Sequence, residues 1–173
     1  FSQRNVLWEF SAADDADFGY SYGEPIIAKV NVDAPSDDRN GAGVGRWAAI
    51  VSNGYNPSSN KAVLFIIFLD GGLDGSWTLG TDYLKITANT ASAGLSSATG
   101  VEITKDGLID RVYAGDLDGN LWSFNIQNKE TWTTAGHVRK LFSTAGQPIT
   151  TPPQVSRNAE HTAAEPNLMV MFG

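Results

Sequence analysis

The residues from Glu102 to Asp110, Glu-Ile-Thr-Lys-Asp-Gly-Leu-Ile-Asp, set side-chain oxygens at alternate positions in the manner of a calcium loop. Such loops use oxygen side chains at positions 1, 3 and 5, a glycine at 6 for the sharp turn, the carbonyl of 7 and a later carboxylate, because the cation takes roughly 6–8 oxygens. Counted from Glu102, these places fall to Glu102, Thr104, Asp106, Gly107, the carbonyl of Leu108 and, at position 9, Asp110. Glu102 is longer than the usual Asp, Thr104 brings a neutral hydroxyl and Lys105 adds positive charge, so the expected affinity is low. The same residues also spell a Lys-Asp-Gly β-turn between two strands, with its carboxylates in water.

Other acidic runs read first as turns. Asp116-Leu117-Asp118-Gly119-Asn120 and Asp70-Gly71-Gly72-Leu73-Asp74-Gly75 lack the full alternating series, and Asp-Gly pairs accept the positive φ of tight hairpins. Asp14-Asp15-Ala16-Asp17 reads as a solvated loop. Support for catalysis is thin. His137 and His161 read as surface groups outside any metal-ligand spacing, no Gly-x-Ser-x-Gly elbow occurs, and Gly41-Ala42-Gly43-Val44-Gly45 lacks the Lys-Ser/Thr pair of a phosphate loop. Trp8, Trp47 and Trp122 lie in expected strands and should pack in the interior. Trp77 and Trp132 lie in expected loops, where an indole face is free to stack on a sugar ring.

The elements that carry these residues are expected to be strands. Short runs rich in Val, Ile, Phe, Trp and Tyr recur between turn clusters: Val6–Phe10, Ile26–Val32, Trp47–Ser52, Val63–Leu69, Tyr83–Thr87, Val101–Thr104, Arg111–Ala114, Leu121–Ile126, Val138–Phe142, Gln154–Ser156 and Leu168–Phe172. Helical periodicity is broken throughout by Gly, Pro, Ser, Thr and Asn. Leu7-Trp8-Glu9-Phe10 returns as Leu121-Trp122-Ser123-Phe124, and Gly23-Glu24-Pro25-Ile26 as Gly146-Gln147-Pro148-Ile149. A third of either displacement is about 40 residues, near the length of a propeller blade. The chain is therefore expected to be all-β, about three propeller blades over approximately 25–87, 94–142 and 148–173, with Trp8 in a closing strand and Asp33–Gly45 as a loop. With 173 residues, 42% of them hydrophobic, one domain or part of one is expected. Twelve Lys and Arg against nineteen Asp and Glu give −7, which disfavours nucleic acid and anionic membrane surfaces. The longest apolar run, Ala62–Leu69, is far short of the ~20 residues of a membrane span. Cysteine is absent, which removes disulfides and thiolate chemistry, and the first residues carry no signal-peptide pattern, as expected of an internal segment.

Several segments resemble the C-terminal domain of the PilY/PilC family of type IV pilus assembly proteins and tip adhesins. They are Asp17-Phe18-Gly19-Tyr20-Ser21-Tyr22-Gly23-Glu24-Pro25, Arg46-Trp47-Ala48-Ala49-Ile50-Val51-Ser52-Asn53-Gly54-Tyr55-Asn56, Gly94-Leu95-Ser96-Ser97, Tyr113-Ala114-Gly115-Asp116-Leu117-Asp118-Gly119-Asn120-Leu121-Trp122-Ser123-Phe124 and Gly146-Gln147-Pro148-Ile149. The resemblance implies a seven-bladed, quinoprotein-like β-propeller of which this chain is a fragment. It also implies export to the cell surface, outer membrane or pilus tip, and a non-enzymatic part in fimbrium biogenesis and adhesion, with pilus subunits and a host or abiotic surface as partners. Many members carry a calcium loop just before the Tyr-Ala-Gly-Asp segment, which here is Glu102, Thr104, Asp106, Leu108 and Asp110. Asp106, Gly107 and Asp110 match that pattern, whereas Glu102 and Thr104 depart from it. Two other readings are a quinoprotein-type dehydrogenase, against which the missing vicinal Cys pair stands, and a carbohydrate-binding or scaffold propeller.

Overall fold

The run Ala62–Phe68, Ala-Val-Leu-Phe-Ile-Ile-Phe, is apolar at every position, a pattern that suits a strand covered on both faces, and every one of its residues is buried. In the computed structural model, which describes residues 6–32, 45–127, 132, 136–158 and 168–173, this run is the third strand of an antiparallel sheet. The sheet joins β1 (Ile26–Val30), β2 (Arg46–Ser52), β3 (Ala62–Phe68) and β4 (Tyr83–Asn89) in sequence order. Register aligns Ile26, Ile50, Ile66 and Leu84 across its four strands, so one face carries a continuous apolar row.

A second antiparallel sheet repeats the plan with β5 (Leu95–Val101), β6 (Arg111–Asp116), β7 (Asn120–Asn125) and β8 (Val138–Ser143), again in sequence order. A hairpin of β9 (Gln154–Arg157) and β10 (Leu168–Met171) follows, and no helix occurs among the described residues. The main core lies between the two larger sheets. Ala48, Ile50, Leu64, Ile66, Phe68 and Ile86 of the first meet Leu95, Val112, Ala114 and Phe124 of the second, with Ile126 and Trp132 completing the cluster.

The opposite face of the first sheet, Val63, Phe65, Ile67 and Tyr83, is covered by Trp8, Phe10 and Phe18 together with Trp77. Residues 6–10 form no strand, contrary to the sequence expectation. They cross the sheet as a strap fixed by ring packing, with Phe10 edge-on to Phe18 and Trp77 at centroid distances of 5.2 and 5.0 Å. The strand expected at Val101–Thr104 is also displaced, since β5 runs Leu95–Val101 and residues 102–110 make the loop to β6. Of the polar stretch Asp33–Gly45, all but Gly45 lies outside the described residues, as does His161.

Candidate functional site

The 102–110 loop is built around Asp110. This residue is 3% exposed at the mouth of β6, and its carboxylate accepts hydrogen bonds from the amides of Ile103 and Thr104 (the latter at 2.8 Å) and from the Thr104 hydroxyl. Two neighbouring carboxylates close the turn in the same way: Glu102 Oε1 accepts from the Gly107 amide at 2.8 Å, and Asp106 Oδ1 from the Leu108 amide at 2.9 Å. Lys105 and Gly107 take positive φ, 65° and 84°, which lets the chain fold back within so few residues. Leu108, expected to offer only its carbonyl, also buries its side chain. It bridges to Lys29 of β1 and rests where any Cβ on Gly45 would lie 2.4 Å from its Cδ2. Arg157 of β9 donates to the Ile103 carbonyl at 2.9 Å, so the loop touches both sheets and the hairpin.

Glu102, Thr104 and Asp106 are exposed, and each of the three carboxylates already serves the backbone. Among the described residues no three His, Cys, Asp or Glu side chains gather closely enough to hold a metal ion. The Thr104 hydroxyl donates to Asp110 at 3.1 Å, at the position where the calcium pattern carries a further carboxylate.

The other acidic runs divide. Asp116, fully buried, accepts from the Asp118 and Asn120 amides, from Asn120 Nδ2 and, at 2.8 Å, from Trp122 Nε1, so it organises the β6–β7 hairpin. Asp70 pairs with Arg46 at 2.7 Å, and Asp74 accepts from the Ser76 amide within its own turn. The run 14–17 is not the solvated loop expected of it, because Asp15 and Asp17 are buried against Tyr83 and Lys85 of β4. Lys85 Nζ reaches Asp15 at 2.8 Å and Asp17 at 2.7 Å, Lys61 Nζ reaches Asp17 at 2.9 Å, and the Tyr83 hydroxyl donates to Asp15 at 2.7 Å. Burial alone would raise the Asp17 pKa; the hydrogen bonds from Lys85 and Lys61 outweigh it and hold the carboxyl at about 2. Burial would lower Lys85, yet its bonds to both aspartates leave it raised, and Tyr83 is raised first by burial and then by its bond to Asp15. The alternation of acids at 15 and 17, with Lys85 and Tyr83 on one face of β4, was the available signal for this cluster.

Trp8 and Trp122 pack half-buried against the two apolar clusters as expected, whereas the other tryptophans depart from expectation. Trp132 is 2% exposed and part of the main core, and Trp77 packs edge-on against Trp8 at 5.2 Å while donating Nε1 to the Glu9 carbonyl. Trp132 presents no free face, and Trp77 is half-buried against Trp8 and Phe10. Trp47, expected inside, is 51% exposed because its side of β2 is left bare beyond the strap, and it lines an open groove of about 650 Å³ with Ile27, Leu69 and Leu73.

Consecutive four-stranded antiparallel sheets, packed face to face and joined in sequence order, define a β-propeller. The family model described as the PilY1 beta-propeller domain matches residues 10–173. The chain belongs to the PilY1 β-propeller family. It is 38% identical over 138 residues to a type IV pilus biogenesis factor PilY1 homolog of Xylella fastidiosa, covering 75% of this chain and 8% of that protein. It is 35% identical over 122 residues to the type IV pilus biogenesis factor PilY1 of Pseudomonas aeruginosa, covering 70% of this chain and 9% of that one. The crystal structure of the Pseudomonas aeruginosa PilY1 C-terminal domain superposes with a TM-score of 0.62 at 29% identity, over 96% of this chain and 35% of the other. The chain thus spans under a tenth of the length of these curated relatives and about a third of the solved domain.

Proposed function

We propose that this chain is a non-enzymatic propeller portion of a type IV pilus biogenesis and adhesion factor, exported and acting at the cell surface, outer membrane or pilus tip. The observation that carries the reading is the propeller-family match across residues 10–173, joined to relatives named as pilus biogenesis factors. Pilus subunits and a host or abiotic surface are the partners this role requires. A strain whose full-length protein carries Asn53→Ala within this segment is the test, because Asn53 is fully buried and ties the Asp17 backbone to both sheets through four hydrogen bonds, to Asp17, Lys61, Val63 and Leu95. Surface pili and attachment should fall when the segment is destabilised. Normal piliation together with normal attachment, in cells shown to carry an unfolded segment, refutes the proposal.

The calcium reading belongs to the same proposal. Glu102, Thr104, Asp106, the Leu108 carbonyl and Asp110 are the residues that would hold the ion, supported by the order of their oxygens and by the loop's positive-φ turn. Binding must compete with the Thr104–Asp110 hydrogen bond, so it is weak. Calorimetry should detect low-affinity binding in the parent, tighter binding in Thr104→Asp, where a third-position carboxylate is restored, and none in Asp106→Ala. Absence of binding in both the parent and Thr104→Asp overturns it.

A further inference from the structure

Two serine hydroxyls stand unpaired where the sheets meet. Ser52 Oγ, at the end of β2, and Ser96 Oγ, in β5, are both buried with no hydrogen-bond partner, and their residues are 5% and 2% exposed. A buried hydroxyl that forfeits its hydrogen bonds is costly, and native structures satisfy such groups with protein or with ordered water. Both residues line one small cavity of about 10 Å³, together with Ser21, Gly23, Gly54 and Ser97. That is close to the space occupied by a single water molecule, and four serines, Ser21, Ser52, Ser96 and Ser97, stand in its lining beside Leu95.

The wall of this cavity cannot readily close on itself. The Ser21 hydroxyl is already turned to the Ser52 carbonyl at 3.1 Å, and the Gly54 amide to the Leu95 carbonyl at 3.0 Å. Gly54 has φ +73°, with Tyr20 O only 2.0 Å from any Cβ placed there, and a Cβ on Gly94 would lie 1.7 Å from Gly54 O, so the backbones are in closest approach. The two residues therefore line one cavity at a closely packed junction, and their hydroxyls are left without a bond. We propose that this cavity is a binding site for one long-lived water molecule, which bridges Ser52 of the first sheet to Ser96 of the second and completes the hydrogen bonding of the blade junction. The ligand is water by size and by chemistry: the space admits one oxygen, and the Ser52 and Ser96 hydroxyls supply donors and acceptors but no charge.

Oxygen-17 magnetic relaxation dispersion counts long-lived waters without interference from hydroxyl proton exchange. The Ser52→Ala, Ser96→Ala double variant should lower the dispersion amplitude by about one water per chain relative to the parent. An unchanged amplitude in a variant whose circular dichroism matches the parent overturns the proposal. A high-resolution crystal structure of the parent decides the matter if the double variant fails to fold. An ordered oxygen within hydrogen-bond reach of both hydroxyls supports the site, whereas hydroxyls paired to each other or to backbone around an empty space refute it.

Discussion

Replacing Lys85 by methionine leaves Asp15 and Asp17 buried with Lys61 as the one cation, beside the Tyr83 hydroxyl and the Asp17 amide, to answer them. Removing one partner from a buried pair costs about 3–5 kcal/mol, because the remaining charge cannot regain its hydration. The Lys85 side chain is 24% exposed and Lys61 remains, which sets the expected loss near the lower end, about 3 kcal/mol. Urea denaturation followed by tryptophan fluorescence is the assay, since Trp8 and Trp77 report on the strap that these carboxylates fasten. Adding Asp15→Asn and Asp17→Asn to Lys85→Met should recover much of the loss, because the stranded charges go as well. The acid limb supplies a second reading. The folded pKa of Asp17 lies at about 2 against an ordinary 3.8, so its stabilisation is complete above pH 3.8 and disappears as the pH falls toward 2. That difference is worth roughly 2 kcal/mol at 1.36 kcal/mol per pKa unit. In Lys85→Met the acid limb should flatten. A loss below about 0.5 kcal/mol at neutral pH, with an unchanged acid limb, would refute the reasoning and leave the strap held by its aromatic rings alone.

Asp116→Asn keeps the shape of the side chain but offers one acceptor oxygen to the Asn120 and Trp122 donors; the expected cost is about 1–3 kcal/mol in the urea midpoint, and an unchanged midpoint would show those donors to be satisfied elsewhere. At alkaline pH the raised Lys85 and Tyr83 contribute stability in full below their ordinary values of 10.5 and 10.0, and lose it as pH rises through the folded values. An absorbance titration should therefore show one tyrosinate appearing late, together with unfolding, and Tyr83→Phe should remove that step; a parent and variant that differ only by an ordinary tyrosine titration would contradict it.

The strands legible in the sequence were those whose faces are filled by side chains of their own. β3 is apolar throughout and β7 reads Leu-Trp-Ser-Phe, so their burial is written in residue type. β5 was misplaced for the converse reason: Leu-Ser-Ser-Ala-Thr-Gly-Val has little apolar bulk, and it is a strand because β6 supplies its ladder and the first sheet covers Leu95. Val101–Thr104 looked more strand-like, but the Asp110 carboxylate captures the amides of 103 and 104, withdrawing them from any ladder. The same limit governs the repeated motifs. Trp8 and Trp122 stand in matching four-residue words, yet Trp122 donates to Asp116 within a hairpin while Trp8 donates to the Leu69 carbonyl from a strap with no strand partner. A word of four residues specifies amphipathic rings; whether they become a strand or a cover depends on which sheet edge is free, a fact held by residues far away in the chain. For the 102–110 loop, the alternating oxygens were readable but their direction was not. Its carboxylates turn inward to the loop's own amides, and Thr104 meets Asp110 with a neutral hydroxyl where a carboxylate would repel it.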